Sequence, residues 1–392
     1  MDSEELPHFS LVSGGLLFQA FRRARLCGYA MEHLRRRIVI VSSIAWLPLL
    51  LLSAFGGNAL GSTVRVPFLY DIEAQVRFLI ALPVLIAGEV LVHNKIWPSI
   101  QRFVTGGMVL QPDLPALRAA IDSALRIRDL VAVEVGLIIY VYTVGHWIWR
   151  SRVALREATW YASLQGTHLH LTPAGYWYVF VAIPIFQFIL ARWYLRLFIW
   201  FRLLWRISRL KLRLDAAHPD RAGGLGFLGK TSFAFAPILL AQGSVLAGVF
   251  ADRVVLEGQP FLGFKETVAG LSIFLVLVLL APLCVFTPHL RRAKHVGQSE
   301  YGSLASQYLA EFREKWILGM HPKDEALLGS SDIQSLADME NTYDAVRQMR
   351  LVPFGAREVT VLAAVTLAPL LPLTLTVVSL DQLLSRVLKT MF

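Results

Sequence analysis

The chain has 392 residues, 55% of them hydrophobic and only 17% charged, with a mean hydropathy of +0.54. A soluble domain does not carry that much apolar material, so the composition excludes an ordinary soluble enzyme or binding module and places the chain in the membrane class. The formal net charge of +10 would suggest nucleic acid in a soluble protein; in so apolar a chain, basic residues beside spans set orientation and meet anionic headgroups, so membrane lipids are the expected partners and nucleic acid is not.

The apolar residues come in runs of about 20, the length an α-helix needs to cross a hydrocarbon core about 30 Å thick. The alternating pattern of a membrane barrel is absent, so the expected fold is all-α: a polytopic bundle of about seven spans with a small cytoplasmic helical insertion. The start, Met1-Asp2-Ser3-Glu4-Glu5, is acidic and does not read as a cleavable signal peptide. Cys27 and Cys284 suggest neither a disulfide framework nor a zinc site. No pattern points to a cofactor.

Residues 1–37 form a cytoplasmic amphipathic segment, with Leu16, Leu17 and Phe21 opposed to Arg22, Arg23, Arg25 and Arg35 to Arg37. The expected spans are Ile38 to Phe55, Val76 to Trp97, Leu130 to Trp149, Ala174 to Trp200, Ser232 to Phe250, Val268 to Phe286 and Val359 to Leu380. Six belong to a membrane domain over 38–290, and the last, with the tail, to 358–392. The fourth is longer than a bilayer requires and runs on through an arginine-rich extension from Phe201 to Leu214. Lys and Arg number six, five and seven in segments 21–37, 94–130 and 201–230, against one, three and two in 56–74, 150–173 and 252–266. By the positive-inside rule the N-terminus is then cytoplasmic, in a bacterial-type inner membrane.

Two polar insertions lie on that side. Residues 111–129 carry Leu117, Ile121 and Leu125 on one helical stripe. Residues 291–357 carry Leu304, Tyr308, Phe312 and Trp316 at helical spacing, then a second helix with Ile333, Leu336, Met339, Tyr343 and Val346 inward and a capping box from Ser331 to Gln334. These predict a helical hairpin docked on the bundle.

At 100° per residue, Arg192, Arg196, Arg202, Arg206, Arg209 and Arg213 share a sector of about 140°. Snorkelling to lipid phosphate explains such a line as well as a vestibule that concentrates anions does. Arg192 is the most telling, since it lies among Phe186, Phe188, Leu190 and Trp193. Gly224, Gly226 and Gly229 with Lys230 and Thr231 match the G-x-x-x-x-G-K-T pattern of a phosphate-cradling loop. The strand that should precede it is missing, so a glycine turn or a simple anion site competes with that reading. Asp215, His218 and Asp220 could hold a divalent ion, or could merely cap the flanking elements. His168 and His170 give a weaker signal of the same kind.

Within the spans, Glu89 and His93 are one turn apart, and Glu134 and His146 share a second face. Ionisable groups at such depth are candidates for gates or ion ligands, and Glu134 is a possible partner of Arg192. The fifth span carries Gly243, Ser244, Ala247 and Gly248, which serve close helix packing or a pore wall. Together these lead to an anion-favouring channel or transporter, homo-oligomeric, with the arginine line as its vestibule. A membrane enzyme acting on a phosphate-bearing lipid or nucleotide is the first alternative, so enzymatic activity stays open, and a signalling or assembly scaffold is the second.

Overall fold

The structure is a computed structural model that describes residues 9–14, 34–61, 64–145, 147, 159–165, 168–320, 326–327 and 329–374. Most of the 1–37 segment, His146 and the tail beyond 374 lie outside the described residues, as do the side chains of 164–169, His168 among them.

Helix is the dominant element. Helix α1 is Leu34–Phe55, α2 Ile72–Thr105, α3 Leu114–Asp129, α4 Val131–Gly145, α5 Pro173–Ile207, α6 Phe227–Leu256, α7 Phe261–Ile317, α8 Ser331–Arg347 and α9 Ala356–Thr374. The antiparallel pair β1 (Ala162–Gln165) and β2 (His168–Leu171) precedes α5. Six of the helices, α1, α2, α5, α6, α7 and α9, are long and apolar enough to cross a membrane, which makes this a multi-pass membrane protein. Helix α4 is apolar but shorter, and it occupies the place of the predicted third span.

Helix α6 runs antiparallel to α2. At one end Thr231 Oγ1 lies 2.6 Å from Ser99 Oγ. At the other, the Asp252 carboxylate accepts from the N–H groups of Ile72 and Glu73 at 2.9 and 3.0 Å, satisfying donors that the first turn of α2 leaves open. Gly243 brings α6 against α9 so closely that a Cβ there would strike the carbonyl of Thr366. The small residues of this span therefore serve packing at this contact. Helix α5 packs on α2 and α3, where Trp193 Nε1 donates to the Leu85 carbonyl at 3.0 Å and Arg202 Nη1 donates to Ser123 Oγ at 2.9 Å. The buried stripe of α3 contains Leu117 and Ile121, as its periodicity predicts.

The arginine-rich helix stops at Ile207 instead of continuing to Leu214. Ser208 turns its hydroxyl back to the Trp205 carbonyl, and the chain then runs extended beside the segment after α2. Leu212 pairs with Val109, and Arg213 N–H donates to the Met108 carbonyl at 2.9 Å. That pairing competes successfully with further helix, because Gly106-Gly107 ends α2 and presents an open backbone edge; Gly107 has φ 64°.

Helix α7 also departs from expectation, continuing without a break from its apolar half into the polar insertion. It spans 57 residues, about 85 Å at 1.5 Å per residue. Its far half and α8 form the hairpin. The α8 cap is Ser330, whose Oγ accepts from Asp332 N–H at 3.1 Å, so the box from Ser331 to Gln334 does not form. Val346 is buried where the hairpin meets the bundle, whereas Leu304 and Ile333 are exposed.

Candidate functional site

Two constellations of charge stand out, one buried between helices and one open at the end of the bundle. The buried one centres on Glu89 of α2. Its Oε2 lies 2.5 Å from Arg37 Nη2 of α1, and its Oε1 lies 2.5 Å from Arg196 Nη2 of α5. Four residues before Arg196, one turn up α5, Arg192 faces Glu134 of α4 at 3.7 Å. All five side chains are buried. Nε and Nη1 of Arg196 are buried without a hydrogen-bond partner among the described residues. His93 instead faces Ser10, whose Oγ is 3.1 Å from its Nδ1, in a segment that buries Phe9, Leu11 and Val12 against the bundle.

The predicted arginine line is thus divided. Arg192 and Arg196 are bound up in carboxylate contacts inside the bundle, Arg202 reaches α3, and Arg206 is half-buried at the end of α5. Arg209, past the helix end, lies over the Trp205 ring at 5.0 Å. Arg213 turns into the second constellation.

That second constellation is a cleft of about 550 Å³ where α2 ends and α6 and α9 begin. Four cationic side chains line it: Arg102, Arg213, Lys230 and Arg350. Lys230 and Arg102 are exposed, the latter over the Phe227 ring at 5.7 Å. The positive ends of α6 and α9 meet at the same place. Its carboxylates are already engaged by backbone donors. Glu358 Oε2 accepts from Gly355 N–H at 2.8 Å, and Asp215 Oδ1 from Ala217 N–H at 2.9 Å.

Asp220 explains the glycine motif. Its Oδ1 accepts from the N–H groups of Ala222 at 2.8 Å and Gly224 at 3.1 Å, and its Oδ2 from Gly226 at 2.7 Å. The ring of N–H groups that resembles a phosphate cradle therefore encloses the protein's own carboxylate. Gly224 adopts φ 92°, and a Cβ on Gly226 would stand 2.9 Å from Asp220 Oδ2, so the loop closes only with glycine at these places. The rest of the motif is committed elsewhere: Gly229 N–H donates to the Pro353 carbonyl, and Thr231 Oγ1 donates to the Phe227 carbonyl while touching Ser99. Of its polar groups, Lys230 alone lines the cleft. Burial raises the Asp220 pKa, but the three N–H donors and His218 outweigh it and hold the carboxyl below its ordinary value of 3.8.

His218 Nδ1 is 2.8 Å from Asp220 Oδ1. The same Nδ1 accepts from the Asp220 backbone N–H at 3.2 Å, which closes the turn at 218–220. Arg350 fastens the loop from the α9 side, donating Nη2 to the Asp220 carbonyl at 2.9 Å and its N–H to the Arg221 carbonyl at 2.7 Å. Arg221 itself has φ 54°, a left-handed conformation that its tight turn imposes. Among the described residues no three His, Cys, Asp or Glu side chains converge to hold a metal, and Asp215, His218 and Asp220 share a wall of the cleft without forming such a group.

The reading of the residues alone brought Asp215, His218, Asp220, Arg213 and Lys230 to notice; it missed Arg102, Arg350 and Glu358. Arg102 and Arg350 stand far apart in the chain in polar contexts, where nothing distinguishes them from solvated charge. No family model, curated protein or solved structure matches the chain.

Proposed function

We propose that this multi-pass membrane protein binds a phosphate-bearing group, carried by a lipid headgroup or by a small soluble molecule, in the cleft at the basic end of the bundle. One observation carries the reading: four cations and two helix N-termini face a single cavity whose carboxylates are already bonded to backbone N–H groups. Phosphate is the ligand such a donor-rich pocket suits, since guanidinium and ammonium groups give charge-assisted bonds to its oxygens. Arg102 and Lys230 lie near the ends of helices long and apolar enough to cross a membrane, which supports a pocket near headgroup level.

The test is phosphate binding to purified protein in nanodiscs, by calorimetry. Replacing Lys230 and Arg102 together by Ala should weaken binding at least tenfold; unchanged affinity in the double variant removes the proposal.

Anion passage is a second reading, favoured by Nε and Nη1 of buried Arg196, which have no hydrogen-bond partner among the described residues and which a passing anion would satisfy. Liposome flux of chloride and phosphate should then fall in Arg196→Gln, and equal flux in wild type and variant argues for a purely packing role. Residence in an inner membrane, anionic lipid neighbours and a homo-oligomeric assembly belong with both readings as proposals.

A further inference from the structure

The cleft does not end at its cationic wall. A second recess of about 560 Å³ adjoins it, between the 213–218 loop and the 293–301 segment of α7, and the two cavities share Gly106, Arg213, Asp215 and His218. Each is large enough to hold a small organic molecule. The walls of the recess are fixed. Gly297 packs on Ala216 so closely that a Cβ there would stand 2.3 Å from the Ala216 Cβ, and Lys294 Nζ ties α7 to the Met349 carbonyl at 2.8 Å. Its chemistry differs from that of the cleft. The carboxylate of Glu300, the Oδ2 of Asp215 and the hydroxyl of Tyr301 make no hydrogen bond among the described residues, and Arg213 is the one Lys or Arg beside them. An alkyl group would displace water from these atoms and return no bond. An ammonium would meet Arg213 as well as the carboxylates. A hydroxyl suits every one of them, since it donates to Glu300 or Asp215 and accepts from Arg213 or Tyr301.

We propose that the ligand is a phosphate ester of a polyhydroxylated alcohol, with its phosphate in the cleft and its polyol in the recess. This rests on the phosphate-binding reading above and adds the group that the phosphate carries. Arg213 stands on the shared wall, so its guanidinium serves a phosphate oxygen and a hydroxyl of the same ligand. Glu300 and Tyr301 line the recess and not the cleft, so they read the polyol alone. The roles therefore separate by residue. Lys230 and Arg102 line only the cleft and act on any phosphate, whereas Glu300 distinguishes one ester from another. An inositol or sugar carried by a lipid headgroup and the same polyol phosphate free in solution present identical chemistry to these walls.

Calorimetry on the full chain in nanodiscs compares inorganic phosphate, myo-inositol 1-phosphate, glucose 6-phosphate and cyclohexyl phosphate, the last keeping a ring and the charge but lacking the hydroxyls. At least one polyol ester should bind about tenfold or more tightly than the cyclohexyl ester. Glu300→Ala should remove most of that preference while inorganic phosphate stays within about twofold, and Glu300→Gln, which keeps an acceptor, should retain part of it. Glu300 is exposed on α7, so both variants should fold as wild type. For the headgroup source, the protein is purified from bilayers holding equal phosphatidylinositol and phosphatidylbutanol, and 31P NMR reads the lipid it retains. Enrichment of phosphatidylinositol assigns the polyol to a headgroup, and preference among the soluble esters alone assigns it to a free molecule. Equal affinity for the polyol and cyclohexyl esters with no lipid enrichment, or a preference undiminished in Glu300→Ala, overturns the polyol while leaving phosphate binding standing. Wild-type protein that binds no phosphate overturns both.

Discussion

Glu89 accepts from two guanidinium groups belonging to two different helices, so three spans depend on one carboxylate. Taking a single partner out of a buried charge group leaves the others uncompensated, at a cost of about 3–5 kcal/mol. Glu89→Gln should therefore lower the thermal midpoint in detergent sharply, whereas Arg37→Gln should do less because Arg196 still faces Glu89. Tryptophan fluorescence on heating reads both, and a Glu89→Gln protein as stable as wild type would mean the contacts are idle. Asp220 allows a second prediction at this scale. Its carboxyl titrates below its ordinary value, so the loop bonds contribute stability above pH of about 4 and lose it as acid protonates the carboxylate. Amide protection factors at Gly224 and Gly226, taken relative to the intrinsic rate at each pH, should be high at pH 7 and fall only once the pH drops below the ordinary carboxylate range; in Asp220→Asn they should be low throughout. Glu89 was conspicuous in the sequence as an acid in an apolar run. Arg37 was not, because three consecutive arginines before a span read as an orientation signal. The sequence at 218–231 misled in a more instructive way. Its glycines mark a nest of N–H groups, but the anion that fills the nest lies upstream at Asp220, whose bond to the N–H two positions on is an Asx turn and whose further bonds reach four and six positions on.

At the scale of elements, periodicity carried most of the information. Leu117 and Ile121 identified the buried side of α3, and six long apolar runs identified spans, because both signals repeat along one helix. The end of α5 was not legible, since a single backbone pairing between Leu212 and Val109 has no repeat to betray it. The hairpin shows the same contrast. Its helices were legible, but the clasp between them was not: Lys315 Nζ at 2.8 Å and Trp316 Nε1 at 2.9 Å both donate to Asp332 Oδ2, and Tyr308 donates its hydroxyl to the Asp332 carbonyl. Bonds from Lys315 and Trp316 hold the Asp332 carboxyl below its usual range, so the clasp persists at neutral pH and opens as pH falls beneath that range. Asp332→Ala should red-shift the Trp316 contribution to fluorescence and speed proteolysis at 318–330 without moving the global midpoint. A fall in the midpoint would show that the hairpin and bundle unfold together. Glycines give a sharper element-scale comparison. Gly243→Val must push α6 off α9, costing about 1–3 kcal/mol or more, whereas Gly270→Ala on α7 meets nothing within 4 Å and should be silent.

For the whole molecule, the ends of the helices decide which compartment the cleft serves. Arg102 near the end of α2, Arg202 and Arg206 on α5, Lys230 at the start of α6 and Lys294 on α7 all belong to one end, while the opposite end carries Arg65, Arg77, Arg253 and Lys265. The chain passes between these ends in the stretch that includes α4. Helix α3 packs on the basic end through Ser123 and Arg202, whereas Trp160, just before β1, donates its Nε1 to Asp71 at the start of α2, on the other end. Helix α4 stands between these two contacts in the chain, at the place predicted for the third span. By the positive-inside rule we propose that the cleft, the hairpin and the start of α1 face the cytoplasm and the β-hairpin the outside. Single cysteines placed at Lys230, Ser335, Gly258 and Gly263, in a chain with Cys27 and Cys284 replaced, would report this through a membrane-impermeant maleimide. Labelling of intact cells should reach positions 258 and 263 alone, and positions 230 and 335 should react only after the membrane is opened. The reverse pattern would turn the cleft toward the outside, so that the proposed ligand would have to come from the outer leaflet or from beyond the cell. Labelling of all four from one side would break the antiparallel pairing of α2 with α6 on which the position of the cleft depends.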